Sequence, residues 1–229
     1  RSLSIQRGGE RSYLVTGEQG GTVRLLELPS LETAVEINSP ELRNIGSAVA
    51  DISGRGIATV REGASLMQWN YEGKRIQDAP RHIDAARTLA LSHDGTKLAL
   101  GGRGAVIYDA RSGKELTRFD MAAAVRRVAF EPGDQTLLTV DVPGRLMRHH
   151  LGREAPRSET IYQHDGRLLS LALDPEGRIA LTGTLGDITL VSPSGEVLGR
   201  RQSHMAEAND VALDAEGKLG ATGGDDGTV

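Results

Sequence analysis

The sequence predicts an all-β protein built from copies of one four-stranded unit, and three observations carry that prediction. Residues 168–191 set the pattern: an apolar alternation (Leu169, Leu171, Leu173), a turn at Asp174-Pro175-Glu176-Gly177, an apolar run at 179–181, a turn closing at Gly186, and a third run from Ile188. Alternation broken by such turns reads as strand, turn, strand, turn, strand. The closing glycine recurs at Gly21, Gly63, Gly104, Gly144, Gly186 and Gly227, with gaps of 42, 41, 40, 42 and 41. The apolar residue opening the next strand recurs as Val23, Leu66, Val106, Leu146, Ile188 and Val229. A small residue in the middle of each first strand recurs as Ser4, Ala50, Ala90, Ala129, Ala172 and Ala212. Three markers in phase over six copies define a repeat.

A period of about 40–45 residues with four strands per unit is that of a β-propeller blade. Blades pack face to face around an axis, so the innermost strand has the least room. Ala90, Ala129, Ala172 and Ala212 are expected to fit there. The flanking pairs Leu89/Leu91, Val128/Phe130, Leu171/Leu173 and Val211/Leu213 point to the opposite face. With both faces of a blade covered, both must be apolar or small.

The first copy, 1–44, has a long polar first turn over 6–12, and its Ser39-Pro40 reads as an outer strand running into a loop. The second, 45–86, is the most degenerate: Asp51 replaces an apolar residue and needs hydrogen-bond partners if buried, and the turn over 53–56 is short. The third, 87–124, turns at His93-Asp94-Gly95 and at Arg111-Ser112-Gly113-Lys114. The fourth, 125–166, turns at Glu131-Pro132-Gly133-Asp134 and has a polar outer segment over 152–160. The fifth, 167–208, is the pattern copy, and the sixth, 209–229, is incomplete. No linker or low-complexity tract interrupts them, so one domain over 1–229 is expected.

Residues 220–229, and Leu14-Val15-Thr16-Gly17 through Gly21-Thr22-Val23-Arg24-Leu25, resemble the middle of a WD40 repeat. Tyr108-Asp109 and Trp69-Asn70 stand where that family has its Trp-Asp pair. Leu26-Glu27 is a weaker match, and Arg148-His149 and Val191-Ser192 have lost it. His164 and His204 resemble the histidine that opens a repeat. The resemblance covers the whole chain, as a divergent version of the bacterial WD40-like type. It implies that His204 joins a structural hydrogen-bond network with the turn residue Asp226. It also implies that this network is broken in the first, fourth and fifth copies, where Gly20, Pro143 and Leu185 take the aspartate's place. Proteins of this kind usually scaffold or sense partners, and bacterial arrays are often joined to kinase, protease-like or NTPase modules.

At about 41 residues per unit, 229 residues make about five and a half blades. Seven is the commonest count in the resembling family, and six also occurs. Because it starts at Arg1 in a first strand and stops at Val229 inside a third, the sequence is read as an excerpt of a longer chain forming part of a seven-bladed ring. The alternative is a complete six-bladed ring short of one outer strand. The balance of 27 basic against 31 acidic residues argues against a nucleic-acid binder. Without cysteine there is no disulfide or thiol chemistry. No apolar run approaches the roughly 18 residues of a membrane span, and a cytoplasmic location is expected. One Trp, four Tyr and two Phe are too few for a base- or sugar-stacking platform.

Candidate chemistry is thin. Gly73-Lys74, Gly113-Lys114 and Gly217-Lys218 lack the earlier glycine and later hydroxyl of a phosphate loop. Gly101-Gly102-Arg103-Gly104 lacks the third glycine of a dinucleotide fingerprint and reads as turn glycine. No Gly-x-Ser-x-Gly occurs. His149 and His150 are adjacent on a strand and point to opposite faces, so they read as a solvated or partly packed pair that cannot chelate one ion. No metal and no cofactor are expected. Trp69, the single tryptophan, reads as bulk filling the gap between blades, and Tyr108 and Asp226 as structural. Arg145, Arg148, Arg153 and Arg157, interrupted by Glu154 and Glu159, read as a solvated edge protected from pairing by charge.

The residue just before each inner strand reads Arg1, Ser47, Arg87, Arg126, Leu169, Asn209. In a propeller these positions ring one mouth of the channel, where three arginines focus positive potential on an otherwise acidic protein. Arg1, Arg87, Arg126 and Asn209 are therefore candidate contacts for an acidic peptide or protein segment; ordinary solvated arginine is the competing reading. The expected function is a non-catalytic platform for protein–protein interaction, docking its partner on a face near the channel mouth. The alternative is a propeller enzyme of lactonase or quinone-dehydrogenase type, which needs carboxylates, histidines or an aromatic cofactor sandwich converging on the axis.

Overall fold

The structure, a computed structural model, describes residues 2–8, 11–18, 20–51, 56–61, 66–77, 84–152, 157–214 and 216–229. The first sheet joins β1 (Ser2–Gly8), β2 (Arg11–Gly17), β3 (Gly20–Leu28) and β4 (Glu32–Arg43). The second joins β5 (Ile45–Asp51), β6 (Gly56–Arg61), β7 (Leu66–Trp69) and β8 (Arg75–Gln77). The third joins β9 (Thr88–Leu91), β10 (Lys97–Gly102), β11 (Gly104–Asp109) and β12 (Glu115–Phe119). The fourth joins β13 (Val125–Phe130), β14 (Thr136–Asp141), β15 (Arg145–His150) and β16 (Arg157–Gln163). The fifth joins β17 (Leu168–Leu173), β18 (Ile179–Gly183), β19 (Asp187–Val191) and β20 (Val197–Gln202), and the sixth pairs β21 (Ala208–Leu213) with β22 (Gly220–Gly224). Neighbours in space are neighbours in sequence, so each sheet is a meander. No helix occurs among the described residues.

The beat of glycines has a cause beyond the turn itself. Gly144 and Gly186 have φ of 88° and 74°, a region that favours residues without Cβ. The chain entering the next sheet also lies directly against them. A Cβ at Gly186 would stand 2.4 Å from the Ala206 carbonyl oxygen and 2.5 Å from that of His204; at Gly144 the Gly166 and His164 oxygens would lie at 2.3 and 2.8 Å. The approach is fixed by hydrogen bonds. The His164 N–H donates to Gly144 O and the His204 N–H to Gly186 O, each at 2.8 Å. Gln163 and Gln202, the last residues of β16 and β20, complete the joint. Gln163 Nε2 donates to Pro143 O and His164 O (2.9 Å each), and Gln202 Nε2 to Leu185 O (2.8 Å) and His204 O (2.7 Å). Gly63 lies outside the described residues.

The chain forms two compact units, Arg1–Leu116 and Thr117–Val229, the division falling inside β12. In the first unit, β5 lies beside both β1 and β9. One face of the second sheet (Ile57, Met67, Trp69) packs on Val15, Val23 and Leu25 of the first sheet. The other face (Val49, Val60, Leu66) packs on Leu89, Leu98, Leu100, Val106 and Tyr108 of the third. In the second unit, β17 lies beside β13 and β21. Leu138, Val140 and Leu146 of the fourth sheet meet Leu168, Leu171, Ile179 and Leu181 of the fifth. Burying each such side chain contributes about 1.5–3 kcal/mol before entropy is counted. That is why these strands read as apolar on both faces.

Several sequence expectations change. Ala90, Ala129 and Ala172 are half-buried and Ala212 is exposed, so this column is not where room runs out. Ala99 and Ala180, the ladder partners of Ala90 and Ala172, are fully enclosed. They lie on mid-sheet strands with both faces covered. In the first copy the strands run on through the expected long turn, pairing Gln6 with Tyr13 and Gly8 with Arg11. Ser39-Pro40 lies within β4, which continues to Arg43. The expectations for the Asp51 and Ala50 side chains and the turn over 53–55 fall outside the described residues.

Candidate partner-docking site

A β-bulge recurs near the start of the first strands. The ladder register slips between Ile45 and Ser47, Val125 and Arg127, Leu168 and Ser170, and Ala208 and Asp210. The extra residues are thus Gly46, Arg126, Leu169 and Asn209, three of them residues that the sequence singles out. A bulge leaves its residue out of the ladder and re-aims its side chain. In the second copy the bulge falls on Gly46; Ser47 is paired with Val60 and buried. Arg87 precedes β9, where its N–H donates to Gly101 O at 3.0 Å. Arg87 and Arg126 are half-buried, and Asn209 is exposed with its amide on Asp225. Arg1 lies outside the described residues.

The residues after three of these bulges form a polar chain that sequence reading missed. Arg127 Nε and Nη2 donate to Ser170 Oγ at 3.3 and 3.1 Å, and Nη2 also reaches Asp210. The Ser170 hydroxyl donates to Asp210 as well. One guanidinium on β13 thus touches both β17 and β21, so the first strands of three successive sheets converge closely within this unit.

The histidines serve structure. Gly166 N–H donates to His164 Nδ1 (3.0 Å), which leaves Nε2–H to donate to Asp187 Oδ2 (3.1 Å). Burial pushes the Asp187 carboxyl up, but hydrogen bonds from His164, Thr189 and Arg200 outweigh it and hold it below the usual carboxylate range. The network expected to be broken in the fifth copy is therefore intact: the aspartate stands just after Gly186 instead of in the turn before it. In the sixth copy His204 meets Asp226 (3.0 Å) through Nδ1 and Thr222 (2.9 Å) through Nε2. Hydrogen bonds from the Thr228 hydroxyl, the Met205 N–H and His204 hold Asp226 well below its ordinary range.

His149 is fully buried, contrary to a solvated or partly packed pair, and packs on Phe119 with ring centroids 4.7 Å apart and planes tilted by 44°. Its Nε2 meets the Thr139 hydroxyl at 2.9 Å and its Nδ1 the Ser158 hydroxyl at 2.7 Å. Burial, with His150 beside it, lowers its pKa to about 4. Trp69 holds the equivalent place in the second sheet, its Nε1–H donating to Thr59 Oγ1 at 3.1 Å. His149 has thus taken over a position that elsewhere holds tryptophan. Tyr108 is buried in the core as expected. Arg148 corrects the reading of a solvated edge. It is 15% exposed, pairs with Glu131 through two bonds of 2.7 Å, and donates to Pro193 O of the fifth sheet. Arg153 lies outside the described residues, and Arg157 is exposed. No cluster of three or more metal-ligating side chains occurs among the described residues.

Meander sheets whose first strands lie side by side define a β-propeller with WD40-like repeats, and comparison with solved structures agrees. The β-propeller domain of Cps50 (Swd1) from Myceliophteria thermophila superposes with a TM-score of 0.72 at 13% identity, covering 80% of this chain and 63% of that one. WD repeat-containing protein 55 of Pongo abelii and of Homo sapiens are each 28% identical over 165 residues, 69% of this chain. The chain spans only 42% of the length of these curated relatives. No protein-family model matches it. No helix among the described residues is long and apolar enough to cross a membrane, which says nothing of β-barrels.

Proposed function

We propose that the chain is a non-catalytic platform on which other proteins dock. The observation that carries this reading is the use made of its buried histidines. His149, His164 and His204 are each bonded to hydroxyls or carboxylates that tie strands and connections together. Groups of the kind a catalytic site would use are spent on rigidity. The likeness to WD-repeat proteins points the same way, because such propellers generally present binding surfaces.

The finer reading is that acidic segments meet the starts of the first strands, with Arg126 and Asn209 as contacts in the second compact unit and Arg87 as a contact in the first. Support comes from the bulges at Arg126 and Asn209, which re-aim their side chains, and from the positive charge of Arg126 and Arg87 on a chain of net charge −4. The test is an array of acidic, neutral and basic peptides over the immobilised chain, at low and high salt. Acidic peptides should be retained, and R87E/R126E should weaken them by about tenfold. Equal retention of basic peptides, or indifference to the charge reversal, removes this placement. Turnover in a hydrolase or dehydrogenase screen removes the platform reading.

A further inference from the structure

We propose that the apolar cavity between the second and third sheets is an anchor pocket for one large apolar side chain of an acidic peptide segment. This deepens the platform reading and rests on it. The cavity has a volume of about 260 Å³; Val49, Ala58, Leu91 and Leu98 wall it, and Ile57 and Trp69, whose side chains pack toward the first sheet, also line it. All six stand on strands of one compact unit. Clefts for whole small-molecule ligands run to roughly 300–1,000 Å³. This one is the size for an aromatic or leucine side chain with little else, and its walls offer carbon.

Gln68 and Arg111 are the polar side chains that line the cavity. Gln68 Nε2 donates to Ala110 O at 3.1 Å, and the Ala110 N–H donates to Thr96 O at 2.8 Å. The turn that carries Arg111 is therefore pinned to both sheets, and the opening keeps its shape. Arg111 lines the cavity, is exposed, and makes no hydrogen bond or ion pair among the described residues. The nearby Asp109 carboxylate is turned to the Ser112 N–H and hydroxyl, at 2.6 and 2.7 Å. A guanidinium carried on a pinned turn beside an apolar hole favours a ligand carrying a hydrocarbon group next to a negative charge. A phenylalanine or leucine flanked by glutamates is the simplest peptide that does so.

Trp69, the only tryptophan of the chain, lines the cavity from a strand whose other face holds its ring, so its emission reads a change in the wall behind the pocket without a label. The probe is a blocked five-residue peptide with a central phenylalanine between glutamates. Controls carry a central alanine, or lysines for the glutamates. The expected result is a saturable change in Trp69 emission, weakened about tenfold or more by either control change and by Arg111→Glu. Ala58→Leu, which fills the cavity, should abolish it. Arg111 is exposed, so R111E still decides if the filling variant does not fold. An unchanged emission, equal affinity across the three peptides, or indifference to R111E overturns the pocket. Retention of acidic peptides on the array while Trp69 stays silent overturns the pocket and leaves the platform standing. A silent array together with a silent Trp69 counts against both.

Discussion

Replacing the joint glycines by alanine separates two costs that the fold combines at one position. Gly227 has φ of 78° with nothing within 4 Å of where a Cβ would sit, so Gly227→Ala carries only the left-handed backbone penalty of roughly 1–2 kcal/mol. Gly186 and Gly144 carry the same backbone penalty. In addition, their Cβ atoms would press on carbonyl oxygens at 2.4 and 2.3 Å, which are backbone atoms and cannot swing aside as a side chain would. Overpacking of that kind adds about 1–3 kcal/mol, so Gly186→Ala and Gly144→Ala should cost about 2–5 kcal/mol each. Calorimetry gives the overall loss. Hydrogen exchange at the His164 and His204 amides, which donate to Gly144 and Gly186, reads each joint separately and does not require the two compact units to unfold together. If all three variants fall within about 0.5 kcal/mol of one another, close approach is not what keeps glycine at these turns.

Other outcomes follow from the polar contacts. The His149 ring should stay neutral down to about pH 4, which an NMR titration of its ring protons reads. Because its folded pKa lies below the ordinary 6.5, the unfolded chain takes up that proton first as pH falls from about 6.5 toward 4, and stability drops across this window. His149→Phe should flatten that slope while lowering the baseline. Ser170→Ala removes the hydroxyl between Arg127 and Asp210 and should cost about 1–2 kcal/mol in urea unfolding, with non-additive coupling to Arg127→Ala in a double-mutant cycle. Arg148→Met leaves the Glu131 carboxylate, 11% exposed, without its cation and should cost about 3–5 kcal/mol. Glu131 is held below its ordinary pKa, so the stability it contributes is present above about pH 4.5 and lost on acidification, and R148M should shrink that acid-dependent loss.

The parts of the fold that were legible in the sequence are those where one residue type is forced in every copy. At Gly144 and Gly186 both the backbone angle and the neighbouring carbonyls exclude any side chain, so the glycine persists and the period shows. The polar chain along the first strands was hidden for the opposite reason. Its positions hold Arg127, Ser170 and Asp210, three chemistries that need each other and so never repeat. Asp187 escaped notice because it stands one residue after its glycine, from where it still reaches His164. His149 was read as a partly solvated histidine because the Trp69 position had changed residue type while keeping its threonine partner. The alanine column was visible, but its ladder partners Ala99 and Ala180 are more enclosed than the column itself.

The glutamine joints bear on how such an array changes length. Every part of one joint lies within 143–166, and every part of the other within 185–206. Gene duplication or deletion of one full period, cut anywhere in a first strand, therefore carries a complete latch with it. The new seam meets a partner of the old kind, with no fresh surface to evolve. Lineages can add or shed whole segments while the fastening stays the same.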